Sequence, residues 1–454
     1  MTEPSGPTGE EFERAFDLLA AHFDPSEADA RFPRRANAVY TASVILWMLV
    51  YQRTHPDKSL EATVKHLLDA RPDLLPNTKR VRENALSSNT SSYSDARQWL
   101  PLEAARWFAD HVSRARIDGA PPTWSGRRVF LIDGTTRTLA PEPELREKYP
   151  PATNPHGRGV WPVALLVVAH ELSSGAAVVP EVGATFGPHA VSETALAGAV
   201  MDRLPANGVV MADAGFGIFA VALGARARGL GFVFRLTAAR FTAYRRTARE
   251  VGRGDGWWTG EFAWRPSAKE RRKHPEWAAD AELKARVHEV SIPNGGALAV
   301  VTDTDATASD VGSWYRQRGT VEVDIRNVKV VLNTEHMAVR SEAMFRKELL
   351  MSVVSYNLVV PFRRQAAERA KCRPRELSFK RVWTTFRTFL LGKMFTTAGQ
   401  WRAGYERALG YAMRDRLPQR PPDRRYEREA YPRRPKADQF KKRKPRTTTN
   451  HTPT

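Results

Sequence analysis

The apolar positions of this chain change period along its length, and the changes divide it into segments. Phe12, Phe16, Leu19 and Phe23 recur at helical spacing, and Asp24-Pro25 ends that run. Asn37 to Arg53 reads as a strongly apolar helix, and Leu60, Val64, Leu67 and Leu68 mark another. A polar passage begins at Ser87, after which Pro101 suits the first turn of the helix PLEAARWFADHV. Residues 1–120 are therefore expected to form a helical N-terminal domain.

At Arg127 the period falls to that of strands. RRVFLIDGTTRTL, VWPVALLVVAHEL and GAAVVPEVGATF are three strand-like runs joined by turns containing Gly or Pro. SETALAGAVMDRL is a helix with Ser192 as N-cap and Glu193 in its first turn. NGVVMADAGFG is a strand ending at Asp213, FAVALGARARG a helix closed by Gly229, and GFVFRLT a further strand. Three strands followed by alternating helix and strand predict an α/β fold: a mixed sheet with helices packed against it. The alternation breaks over about 239–294, a stretch rich in Arg, Lys and Trp that reads as an insertion, and ALAVVTD restores a strand. Next comes Trp314 to Leu332. Drawn as a helix at about 100° per residue, it gathers Tyr315, Arg318, Glu322 and Lys329 within roughly 60°. Val321, Ile325, Val328 and Leu332 form an aliphatic stripe beside them. The apolar helix FRKELLMSVVSYNLVVPF is expected to stop at Pro361, closing a segment of residues 121–361. C-terminal helices are expected over 362–416, then a flexible basic tail over 417–454. No internal repeat is visible.

Charge narrows the function. Lys and Arg number 70 against 50 Asp and Glu, a net charge of +20, which favours a polyanionic partner. The longest apolar stretch, Ala42 to Tyr51, is too short to cross a bilayer, and the start MTEPSGPTGEEFERAF is acidic and polar, unlike a secretory signal. Cys372 is the one cysteine, so neither a disulfide framework nor a cysteine zinc site is available within one chain, and a reducing cytoplasm is the expected compartment. No P-loop is present, and His288-Glu289 is not followed by the second His of a metalloprotease helix.

Three carboxylates stand out together. Asp133 follows Val129 to Ile132, and Asp213 follows Val209 to Ala212. Taken alone, Asp133-Gly134 reads as a turn, Asp213 as a helix cap and Glu322 as a surface residue. Two aspartates at strand ends and one glutamate on a later helix can instead converge on one sheet edge. Hard divalent cations take several carboxylate oxygens, and Mg²⁺ completes its shell with water and substrate phosphate. Two such ions suit in-line phosphoryl displacement. Asp303 and Asp305 end the strand before the helix, Asp324 lies about 200° round it from Glu322, and Glu335 lacks flanking cations, so Glu322 is preferred.

The blocks LIDGTT, MADAGF and YRQRGTVEVDIRNVK resemble those of DDE transposases of the bacterial insertion-sequence-four kind, which have a ribonuclease-H-like catalytic domain. That group carries a Tyr, two residues, Arg, three residues, Glu, six residues, Lys signature. Tyr315, Arg318, Glu322 and Lys329 match it at every position. The insertion before the Glu, the apolar VVSYNLV after it and the Pro/Arg-rich ending agree as well. One departure is Gly319-Thr320-Val321, where relatives place a bulky residue and where Gly and β-branched residues weaken a helix.

The resemblance implies a ribonuclease-H-like mixed sheet flanked by helices, with a β-rich insertion. It implies that Asp133, Asp213 and Glu322 are the catalytic triad, holding two Mg²⁺ ions or Mn²⁺ in their place. Tyr315, Arg318 and Lys329 would grip DNA phosphates at the transposon end. Trp257, Trp258 and Trp264 are candidates for stacking on a base, with core packing the alternative for each. The implied partners are the terminal inverted repeats and target DNA, with a homodimer bridging two ends at the nucleoid and no membrane. The N-terminal helices, with their own Arg clusters, would help bind the ends, although no helix-turn-helix pattern can be drawn there. The function implied is cut-and-paste transposition. The alternatives are an inactive DNA-binding descendant and a nuclease of the same fold without strand transfer.

Overall fold

The computed structural model describes residues 24–418 except 56, 58, 155–156, 293–295, 328–338 and 391–397, with the side chains of 154, 158, 319–323, 326 and 398 also outside the description. The expected helix at Phe12 to Phe23 and the basic tail from 419 onward lie outside the described residues.

Helices come first: α1 (Pro25–Arg31), α2 (Ala42–Thr54), α3 (Leu60–Ala70), α4 (Ser91–Trp99) and α5 (Leu102–Asp118). Every residue of α2 is buried, which explains why its sequence lacks a polar face: an α-helix wrapped on all sides has no solvent side to mark. Its covering includes α11 (Glu342–Arg369), a 28-residue helix that also packs along α5. The sequence places a stop at Pro361, yet α11 runs through it. Nearly all of α11 from Met344 to Val360 is buried, and Phe362, Arg363, Ala366 and Ala367 beyond the proline are buried as well. Ending the helix there would strand several main-chain polar groups in the core, a larger cost than the one hydrogen bond a proline removes. The C-terminal helices α12 (Phe379–Leu390) and α13 (Ala398–Ala412) join the same core.

The nine strands of the main sheet are β1 (Val129–Thr138), β2 (Val163–Glu171), β3 (Glu181–Ala184), β4 (Val209–Ala212), β5 (Gly231–Arg235), β6 (Arg249–Gly254), β7 (Trp257–Trp264), β8 (Leu283–Ile292) and β9 (Gly296–Thr302). Their spatial order is β3-β2-β1-β4-β5-β9-β8-β7-β6. β1 to β3 form an antiparallel meander, whereas β4 and β5 run parallel to β1. The parallel strands are reached through α6 (Glu193–Met201) and α7 (Phe219–Ala227). The order 3-2-1-4-5 with this mixture of directions is the ribonuclease-H-like sheet expected from the sequence. The insertion contributes α8 (Ala238–Thr247), β6, β7, α9 (Ala268–Lys273) and β8. It continues the main sheet, because β9 pairs antiparallel with β5 and carries β8, β7 and β6 outward.

The two sheet faces bury different partners. Phe130, Val210, Phe232 and Phe234 point into the large core shared with the helices. Val129, Leu131, Val209, Met211, Val233 and Val300 point the other way, against Val311, Trp314 and Ile325 of α10 (Ala308–Arg326). Thus α10 has a face of the sheet largely to itself. Among the described residues no helix is long and apolar enough to cross a membrane.

Within the sheet extension, His288 of β8 is 1% exposed. Its Nδ1 shares a 2.8 Å hydrogen bond with the Thr259 hydroxyl of β7, and its Nε2 is buried without a partner among the described residues. Burial, with the Arg286 charge adding to it, pushes the imidazole pKa down to about 4. The unfolded chain gains this proton near pH 6.5 and the folded chain only near pH 4, so stability falls as pH drops through that window. His288→Gln should remove roughly 2–3 kcal/mol of this loss, measured as the difference in urea unfolding free energy between pH 7 and pH 4.5. An equal loss in the variant and the parent would show that the ring is not held neutral.

Candidate active site

The site begins with strand register. β1 and β4 pair Val129 with Val209, Phe130 with Val210 and Leu131 with Met211. Two residues beyond the last of these pairs come Asp133 and Asp213. Side chains alternate across a strand, so Asp133 falls on the face of Leu131, the face that α10 covers, and Asp213 is met by Arg318 of α10. The sequence reading puts Asp133 at a strand end, but β1 continues to Thr138, pairing Asp133 with Val168 and Gly134 with Val167 of β2. β4 stops at Ala212. Asp133 therefore lies within its strand, at the point where that strand loses its parallel neighbour, and half-buried Asp213 follows directly in the loop.

The loop after β4 is held in shape. Asp213 Oδ1 accepts from the Gly215 amide at 2.8 Å. Arg240 Nη1, from the insertion helix α8, donates to the carbonyls of Ala214 at 2.8 Å and Gly217 at 3.0 Å. A Cβ on Gly217 would lie 2.4 Å from the Arg235 carbonyl oxygen, so only glycine fits there. Arg240 thus braces the loop carrying Asp213, a role invisible in the sequence because nothing local links the two segments.

From the opposite side α10 brings the signature residues. The Tyr315 hydroxyl donates to the Ala212 carbonyl at 2.6 Å, and its burial, the largest influence, pushes its pKa well above the usual range. The Tyr315 hydroxyl, expected from the sequence to grip a phosphate, is here engaged by the main chain next to Asp213. Arg318 Nη2 lies 3.7 Å from Asp213 Oδ2 with its side chain 23% exposed, close enough for attraction and open enough to meet an anion. Glu322 stands on α10 one turn beyond Arg318, and the backbone stays helical through Gly319-Thr320-Val321. The side chain of Glu322 and all of Lys329 lie outside the described residues. Among the described residues no three ligating side chains are gathered as a metal cluster.

A further carboxylate, absent from the sequence reading as a site residue, approaches from α6. A Cβ on Gly134 would lie 2.1 Å from the Glu193 carboxyl carbon. Partial burial, then the charges of Asp133 and Asp213, raises the Glu193 pKa. Excess negative charge accumulates at this edge, with Arg318 as a nearby cation. Carboxylate oxygens are the donors that hard divalent cations take, but Asp133, Asp213 and Glu193 are not gathered as a metal cluster in this structure. Two of the rival carboxylates, Asp303 and Asp324, are otherwise engaged. Asp303 accepts from the Phe232 amide at 2.7 Å and pairs with Arg226 at 3.1 Å. Asp324 is fully buried against Arg375 and Arg363.

The three tryptophans separate by strand alternation. Trp264 packs on Phe219 and Phe232 in the core. Trp258, on the same face, donates to Glu250 Oε2 at 2.8 Å and lies under the Arg245 guanidinium. Neither indole has a face free for a base. Trp257 points the other way and is 39% exposed. It lines a cleft of about 840 Å³ together with Arg286, His288, Thr307, Ser309 and Arg316.

Comparison with known proteins identifies the family. The family model for the transposase DDE domain matches residues 124–358, more than half of the chain. "Putative transposase InsZ" of Escherichia coli (strain K12) is 30% identical over 128 residues, which cover 27% of this chain and 41% of that protein's length. A cryo-electron-microscopy structure of the piggyBac transposase synaptic complex with hairpin DNA aligns over 89% of this chain and 88% of that one. Its identity is 10% and its TM-score 0.43; the fold assignment rests on the strand order itself. By its matched domain, spanning the sheet, both aspartates and α10, the chain belongs to the DDE transposase family.

Proposed function

We propose that this chain is a cut-and-paste transposase of the insertion-sequence-four kind, acting at the terminal inverted repeats of its own element. The reading is supported by Asp133 and Asp213 each following two residues after the last paired positions of neighbouring strands, with Arg318 3.7 Å from Asp213 and Glu322 one turn further along α10. Asp133, Asp213 and Glu322 would hold two Mg²⁺ ions, with Mn²⁺ able to replace them. Such ions supply an activated water or 3′-hydroxyl and stabilise the leaving oxygen. The chain's own part is to fix the carboxylates, to draw the scissile phosphate in with Arg318, and to extend that grip with Lys329. The net charge of +20 adds salt-sensitive affinity for any duplex. Trp257 is the tryptophan we assign to base stacking, because its ring faces an open, cation-lined cleft. The active form is a homodimer bridging two ends at the nucleoid, and the exposed 3′-hydroxyls attack target DNA.

The reading makes two demands. On a duplex bearing the element's ends with Mg²⁺, Asp133→Ala, Asp213→Ala and Glu322→Ala should each abolish cleavage while end binding survives. Normal cutting by Glu322→Ala would remove it from the triad. Cleavage followed by a joined product supports transposition; cleavage without joining favours a nuclease, and binding without cleavage an inactive descendant. Separately, Lys329→Ala should weaken end binding and flatten its salt dependence by about one counterion. Trp257→Ala should cost about 1–3 kcal/mol of binding to an end with an unpaired base near the cleavage site. Unchanged titration curves would cancel either assignment.

A further inference from the structure

Asp324 has no part in the site described so far, yet it is among the most completely buried charges of the protein, at 0% exposure. Its Oδ2 accepts from Arg375 Nε at 2.8 Å, and its Oδ1 faces Arg363 Nη1 at 3.7 Å. Arg375 also donates to the main-chain carbonyls of Leu172 and of Glu171, the latter at 3.3 Å. Arg363, on α11, donates to the Leu377 carbonyl at 2.9 Å. Four segments meet here: α10, α11, the turn before α12, and the end of β2, the strand that pairs with Asp133.

A buried ion pair is a poor device for stability alone, because desolvation consumes most of the attraction and apolar residues of equal volume do as well. What it fixes is position. A rotation or slide of α10 by one residue would leave one buried carboxylate and two buried guanidiniums unpaired, a far larger penalty than any shift among Ile325 and its apolar neighbours. The other end of α10 is pinned by Tyr315 to Ala212, beside Asp213. The helix is thus mounted at two points, one referred to the strand of Asp213 and one to the partner strand of Asp133. Glu322 lies between them, two residues before Asp324.

We infer that Asp324, through Arg375 and Arg363, is the positioning residue for Glu322, setting the rotation and height at which that carboxylate meets the site. The inference rests on the assignment of Glu322 to the metal-binding triad. A supporting contact of this kind usually changes metal affinity or activity about ten- to a hundredfold.

The test uses the full chain with the end-bearing duplex. Asp324→Asn keeps the size of the side chain and removes its charge. End binding should stay as in the parent, while the Mg²⁺ concentration for half-maximal cleavage rises by about tenfold or more. Mn²⁺ binding to the protein–DNA complex, read by electron paramagnetic resonance of the free ion, should weaken in parallel. Arg375→Lys, which retains the charge, should give a smaller shift in the same direction. It carries the comparison if Asp324→Asn lacks a cooperative unfolding transition. A lowered melting temperature with unchanged Mg²⁺ and Mn²⁺ titrations would overturn the inference and leave a purely structural role. Glu322→Gln separates the two levels: normal cleavage there removes the triad assignment, whereas lost cleavage with unshifted Asp324→Asn titrations removes only the positioning role.

Discussion

A single hydrogen bond, from the Tyr315 hydroxyl to the Ala212 carbonyl, fixes the relation on which the candidate site depends. It ties the signature helix to the last residue of β4, and Asp213 is the next residue along. The tyrosine is partly buried, so water competes less for the bond and an orphaned partner on either side would be costly. Arg318 and Glu322 then follow from helix geometry, one and two turns further on. The fold reads as a means of bringing one helix to one strand end. The sheet offers α10 a face lined with Val129, Leu131, Met211 and Val300, and Val311 and Trp314 settle on it.

Charge is handled differently at the two places where it is concentrated. Near Asp133 and Asp213 the carboxylates remain partly exposed, with Glu193 pressed against Gly134 and its pKa raised by burial and by its neighbours. Arg318 offsets part of that charge beside Asp213. Around Asp324 the balance is opposite: one carboxylate is enclosed by two arginines and main-chain carbonyls in the interior. The first cluster is poised to receive something, and the second is closed.

Much of this was legible from local sequence. Aliphatic runs ahead of Asp133 and Asp213 marked the strands, and the pairing of strand and carboxylate suggested convergence on one sheet edge. The spacing of Tyr315, Arg318, Glu322 and Lys329 gave the helix and the family resemblance. Features that depend on distant contacts were not legible. That β4 ends at Ala212 while β1 continues to Thr138 decides why Asp133 sits within a strand, and no local signal marks it. Pro361 obeyed the rule for helix ends only in isolation, because burial along α11 outweighed it. Trp257 and Trp258 look alike in the sequence and differ only by the face on which alternation puts them. Asp324 was recognisable as facing away from Glu322, but its arginines come from 39 and 51 residues further along the chain.

The central claim is that Asp133, Asp213 and Glu322 share bound metal, and the most direct measurement locates that metal on the polypeptide. With Fe²⁺ in place of Mg²⁺, ascorbate and peroxide generate hydroxyl radicals that cut the chain next to the bound ion. The account predicts cuts beside Asp133, Asp213 and Glu322, suppressed by excess Mg²⁺ and lost in Asp133→Ala. Cuts confined to other segments, or indifferent to Mg²⁺ and to that substitution, would contradict it.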